Sequence, residues 1–127
     1  MINFPIHNYP KDQVIFKEGT TGNVAFIIKE GTAEISIEGE SGKLILAELH
    51  PGDIFGEMAL FLKENKRTAT AVALEDCELI AIYKNFFMDY LKECPAVVVT
   101  LINSLIQRLQ ETSIRLSQSK SLVIEID

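Results

Sequence analysis

Residues 51–71 read PGDIFGEMALFLKENKRTATA. A single carboxylate, Glu57, follows a glycine in an apolar run, and Arg67 comes after it, trailed by small and hydroxyl side chains. An isolated acid and base at that spacing usually form a solvated or structural ion pair on a hairpin, so the pair alone says little. Its surroundings say more. Gly56 lets the backbone approach another group closely, because no Cβ intervenes. The EMALF that follows can form a short helix whose first N–H groups lack intrahelical partners and favour an anion. Arg67 adds a planar cation whose geometry suits phosphate. The stretch therefore reads as a pocket for a small anion.

Working outward, short strands and turns precede it. VIFKEG (14–19) and VAFIIKEG (24–31) each end in glycine. In TAEISIEGESG, Ala33, Ile35 and Ile37 alternate with Glu34, Ser36 and Glu38, the period of a strand with one wet side. GESG (39–42) turns the chain and KLILAEL (43–49) returns, so 32–49 reads as a hairpin. HPGD (50–53) is a further turn, and TATAVALEDCELIAIYK (68–84) supplies two strands joined around Glu75 and Asp76. Repeated short strands with glycine-bearing turns predict an antiparallel β-roll or jelly roll.

After Lys84 the period changes. NFFMDYLKECP predicts a short helix, with Phe86, Phe87, Tyr90 and Leu91 at spacings of three and four. Pro95 suits a first helical turn. AVVVTLINSLIQRLQETSIRLSQSK then reads as one long helix, with a heptad-like seam of Ile102, Leu105, Leu109, Thr112 and Leu116. At roughly 1.5 Å per residue it would extend about 38 Å, more than one small roll covers, so part of it must face something else. A homodimer through this helix is the natural expectation. No assignment is made for SLVIEID (121–127). The class is α+β, with one domain over 1–127: a roll over about 9–84 and helices over about 85–121.

Bulk properties narrow the function. The chain has 12 Lys and Arg against 18 Asp and Glu, a net charge of −6, without a long basic cluster, which argues against a nucleic-acid polymer as partner. Two cysteines without CxxC spacing and no signal-peptide pattern at MINFPIHNYPK predict a cytoplasmic protein with reduced thiols. His7 and His50 are the only histidines and show no metal-binding spacing, so neither a metal site nor a cofactor is expected. Cys77 lies in EDCE, where neighbouring acids raise a thiol pKa. No enzyme is predicted.

Phe55-Gly56-Glu57-Met58-Ala59-Leu60, the insert FLKENK and Arg67-Thr68-Ala69-Thr70 together resemble the phosphate-binding cassette of the cyclic nucleotide-binding domain family, which includes bacterial cAMP receptor proteins, kinase regulatory subunits and gated channels. Gly19, Gly31 and Gly52 also match, and the similarity covers roughly residues 9–116. Lys66 departs from it, standing where many members carry a proline that stiffens the loop. The resemblance implies a ligand set. Gly56, Met58, Ala59 and Ala69 shape the cassette, Arg67 holds the cyclic phosphate, and Glu57 accepts from the ribose 2′-hydroxyl. It further implies that Leu46, Ala47, Arg108 and Leu109 line the base, and that Thr112 and Ser113 cap adenine, one of them across a dimer. On spacing alone, those last two are equally well polar positions of the helix. Thr68 adds a hydroxyl to the phosphate, or bonds a guanine amino group.

These residues together predict a non-catalytic cyclic nucleotide sensor, with cAMP favoured over cGMP and ligand binding coupled to movement of the long helix. Two alternatives stand beside it. One is a degenerate domain that keeps the fold and serves only for dimerisation. The other is a fragment of a bacterial transcription regulator lacking its helix-turn-helix, since only about ten residues follow Leu116.

Overall fold

The computed structural model describes residues 4–63 and 65–120, with side chains on the last helix described through Glu111. Two four-stranded antiparallel sheets form the first part of the chain. Strands β1 (Ile6–Tyr9), β8 (Cys77–Tyr83), β3 (Val24–Glu30) and β6 (Ile54–Phe55) pair in that order. Strands β2 (Val14–Phe16), β7 (Thr70–Ala73), β4 (Ala33–Gly39) and β5 (Gly42–Leu49) make the second sheet. Neighbours in each sheet are mostly distant in sequence, which is the roll topology expected from the turns. Strands β1 and β6 went unread, because four and two residues carry too little periodicity to register.

The core lies between the sheets and pairs large residues with small ones. Phe26, Ile28, Phe55 and Leu79 fill it from the first sheet, while Ala33, Ala71 and Ala73 on the second are fully buried. Alanines let the sheets close, and the aromatic rings occupy the space so made. Phe16, Phe26 and Phe55 form a ladder with ring centroids 5.6–6.3 Å apart. Deleting most of Leu79, fully buried, would cost about 2–5 kcal/mol.

The hairpin over 32–49 forms as expected, with one correction: Ser36, assigned to the wet face, is 5% exposed. It is a small side chain on a central strand, opposite Ile45 on one side and Thr70 on the other. Between Ile35 and Ser36 the pairing slips, because Ile35 faces Ala47 and Ser36 faces Ile45, leaving Leu46 as the extra residue of a bulge. Gly31 ends β3 at φ +95, and a Cβ there would lie 2.5 Å from the Asp76 carbonyl oxygen.

After Lys84 the chain forms a second compact unit. Helix α1 (Lys84–Lys92) and helix α2 (Ala96–Lys120) match the two helical readings, with Pro95 just before the first turn of α2 and its carbonyl accepting from the Val98 amide. The seam is displaced from the one expected. Among the described side chains, the most exposed apolar residues of α2 are Val97, Leu101, Leu105 and Leu109, a strict four-residue step, while Ile102 is half-buried and those of Thr112 and Leu116 lie outside the described residues. Steps of four drift around a helix of 3.6 residues per turn, so a stripe chosen from heptad spacing shares only part of its length with the exposed one. No helix among the described residues is long and apolar enough to cross a membrane, which says nothing of strands.

Candidate functional site

The site is built around one buried cation. Arg67 is 7% exposed, and no carboxylate pairs with it among the described residues. Its Nη2 donates to the Val24 carbonyl oxygen at 2.7 Å, and its Nη1 to that of Gly56 at a weaker 3.4 Å. The guanidinium carbon lies 4.1 Å above the centre of the Phe16 ring, within reach of a cation–π attraction. Its Nε is buried and has no acceptor among the described residues. Burial pushes the pKa of Arg67 down, and Tyr9 is the ionisable side chain that acts against this. Tyr9 does not balance the charge, however, since burial and then Tyr83 raise its own pKa and it is neutral at pH 7. A desolvated cation without a counter-charge is costly, and anions are the groups that lower that cost.

The chain around it folds as the glycines require. Gly56 adopts the left-handed conformation at φ 70, and a Cβ there would stand 2.8 Å from Nη1 of Arg67 and 3.2 Å from the Phe16 ring. It opens a short 3₁₀ helix, Glu57–Leu60. Within that helix the Ala59 amide already donates to Gly56 at 3.2 Å, whereas the amides of Glu57 and Met58 have no acceptor among the described residues. The donors left for an anion are therefore at 57 and 58. Ala59 is buried and serves the packing.

The cassette is clamped over residues 62–67. Residues 20–22 zip to 65–67 through Arg67 N–H to Thr20 O at 2.7 Å and Gly22 N–H to Asn65 O at 2.9 Å, and Gly19 N–H donates to Arg67 O at 2.7 Å. Lys66 lies between these bonds and its own N–H takes no part in them, so lysine fits where many members of the family carry proline. Lys84 adds to this clamp, its Nζ donating to Leu62 O at 2.8 Å and Asn65 Oδ1 at 3.3 Å. Lys84, Gly22 and Val24 were not singled out from sequence, because a lysine at a strand end and a glycine in a turn carry no distinguishing pattern.

The other expected residues are distributed as follows. The Glu57 side chain makes no hydrogen bond or ion pair among the described residues and the residue is half-buried, while Thr68 is exposed and Ala69 half-buried just ahead of β7. Leu46 is 54% exposed at the bulge, and Ala47 faces Ile35. Arg108 and Leu109 are exposed on α2 in the second unit. Thr112 and Ser113 lie on α2, with side chains outside the described residues. Near the far end of β8, Cys77 is buried and donates to Thr32 O and Glu75 O; burial first, then Glu75 and Asp76, push its pKa up. No group of three or more metal-ligating side chains occurs among the described residues.

The roll thus encloses an arginine that has no acid partner among the described residues, beneath a glycine-led helical turn. The family model for the cyclic nucleotide-binding domain matches residues 6–94, and the chain belongs to that family. Among relatives, the "Cyclic AMP receptor protein" of Thermus thermophilus is 35% identical over 109 residues, 85% of this chain and 50% of that protein. The chain thus spans about half the length of the curated relatives it matches. The crystal structure of the Thermus thermophilus catabolite activator protein superposes with a TM-score of 0.72 at 34% identity, over 91% of this chain and 54% of that one. The halfsite-occupied form of the EAL enzyme Bd1971 gives 0.76 at 34% identity, over 86% and 97%. Structures of that enzyme's cAMP-bound and cGMP-bound forms give 0.70 and 0.67, at 34% and 35% identity over 90% and 83% of this chain, 31% and 28% of theirs.

Proposed function

We propose that this chain is a non-catalytic sensor that binds a cyclic nucleotide at the Arg67 cassette, cAMP in preference to cGMP. The carrying observation is the Arg67 guanidinium, buried without an acid partner and with Nε unbonded among the described residues, inside the Phe55–Thr70 register. Arg67 and the amides of Glu57 and Met58 hold the cyclic phosphate, with Thr68 adding its hydroxyl. Glu57, which has no partner among the described residues, accepts from the ribose 2′-hydroxyl. That assignment explains a carboxylate beside an anion site: it reads the sugar, a donor that inorganic phosphate lacks. Leu46, Ala47, Arg108 and Leu109 line the base, with Thr112 and Ser113 capping it.

In this reading both units act as one binding domain, and ligand draws cassette and α2 together because the closed arrangement binds more tightly. The stripe Val97–Leu101–Leu105–Leu109, at 49–66% exposure, supports self-association through α2. A receptor named for cyclic AMP and an enzyme with cAMP-bound and cGMP-bound forms among the similar proteins support the ligand class. Calorimetric titration of cAMP and cGMP into the wild type and Arg67→Ala tests it. A charge-assisted bond contributes about 1.5–3 kcal/mol, so the substitution should weaken binding at least about tenfold. A wild type silent to both nucleotides would leave self-association as the function.

A further inference from the structure

Gly22 and Phe16 touch no part of the nucleotide in the proposed binding mode, yet they define the position of the cation on which it rests. A Cβ at Gly22 would lie 2.6 Å from both Nε and Nη2 of Arg67 and 2.8 Å from Cζ. Gly22 has no positive φ, so its backbone accepts any L-residue; what excludes a side chain is the guanidinium alone. The glycine is pinned in turn by its amide bond to Asn65 and by the adjoining bridge between Thr21 and Lys66. Gly22 meets the Nε and Nη2 edge, while the Phe16 ring lies 4.1 Å from the guanidinium carbon and is tied into the Phe26 and Phe55 ladder. The guanidinium is thus held against a fixed glycine and a fixed ring, with Nε buried and the residue as a whole 7% exposed.

We propose that Gly22 and Phe16 are positioning residues that hold Arg67 in a withdrawn pose, so that anion binding at the cassette requires the guanidinium to leave it. The clamped backbone on both sides makes the flexible side chain, rather than the loop, the moving part. Binding free energy is then reduced by the cost of breaking the Val24 bond and the contact with Phe16, as for any protein whose competent state is a minor population. A side chain at 22, or a smaller one at 16, disfavours the withdrawn pose and removes part of that cost. The inference rests on the cyclic nucleotide reading for its ligand, but not for its geometry.

Two readouts separate them. In 15N-labelled full chain, the Arg67 Nε–H resonance (assigned by its loss in Arg67→Lys) should exchange slowly with water in the wild type and rapidly in Gly22→Ala. Wild-type exchange as fast as that of Arg108, which is exposed, would overturn the withdrawn pose without any ligand present. In calorimetry with cAMP, Gly22→Ala and Phe16→Leu should bind about threefold to tenfold more tightly than wild type. Weaker binding by Gly22→Ala, with native circular dichroism retained, would mean that this position is the binding pose and would overturn the proposal. Phe16→Leu adds no bulk and decides the same question should Gly22→Ala fold poorly. Binding by Gly22→Ala where the wild type binds nothing would support it most strongly. Silence in every variant would end the cyclic nucleotide reading, while the Nε–H exchange would still decide the withdrawn pose.

Discussion

Two clusters of unbalanced charge on the roll are built in opposite ways. Around Arg67 a cation is buried without an acid partner among the described residues, close to Gly22, Gly56 and Phe16. Elsewhere on β3 and β8, Glu30 and Glu78 face each other across the strands, and with Asp76, Tyr9 and Cys77 they line a cavity of about 330 Å³. There the acids stay near water. Glu30 takes a hydrogen bond with Glu78, and that bond, followed by the charge of Glu78, pushes its pKa up despite the opposing pull of Lys29. Solvent relieves the acidic cluster locally. The buried cation has no such relief among the described residues, which is why it is the one that asks for a ligand.

The sharpest way to break this contrast is Arg67→Met. Removing a buried unpaired charge offsets the two carbonyls left unbonded, so unfolding in urea should move by less than about 1 kcal/mol. Nucleotide affinity should meanwhile fall at least about tenfold. Parallel losses in stability and binding would place Arg67 in the framework of the fold instead.

At the acidic end the framework is the backbone. Gly31→Ala forces an L-residue to φ +95 and places a Cβ 2.5 Å from Asp76 O and 2.8 Å from Cys77 Sγ. It should cost about 2–4 kcal/mol by urea unfolding. Because the site lies elsewhere, the folded variant should keep wild-type affinity for nucleotide.

The smallest expected effect sharpens the same comparison by pH. Since the folded pKa of Glu30 is raised, its contribution to stability is full below the ordinary carboxylate pKa of 4.5 and is lost as pH rises through the folded value. Glu30→Gln should flatten that part of the profile and leave nucleotide binding unaltered. An unchanged profile would mean that the facing carboxylates do not share a proton.

Much of this was legible because local chemistry forces it. Alternation in Ala33–Glu38, the glycines that close turns, and the change of period after Lys84 gave the hairpin, the roll and both helices. The two briefest strands of the first sheet escaped notice because two to four residues hold no period. Ser36 was misplaced because burial by flanking strands is not a property of its own strand. At the site, Gly56, Glu57 and Arg67 stood out by register, and the EDCE surroundings foretold the raised thiol pKa of Cys77. Gly22, Phe16 and Lys84 did not, because what they do depends on which distant groups the roll brings beside them. On α2, Leu105 and Leu109 of the expected seam are exposed and Ile102 is half-buried.

The most direct test of the central claim is a crystal structure determined with saturating cAMP. The cyclic phosphate should lie within hydrogen-bonding distance of Arg67 and the amides of Glu57 and Met58, with the Glu57 carboxylate on the ribose 2′-hydroxyl. Nucleotide bound away from residues 56–68, with Arg67 still seated against Phe16 and Val24, would contradict it.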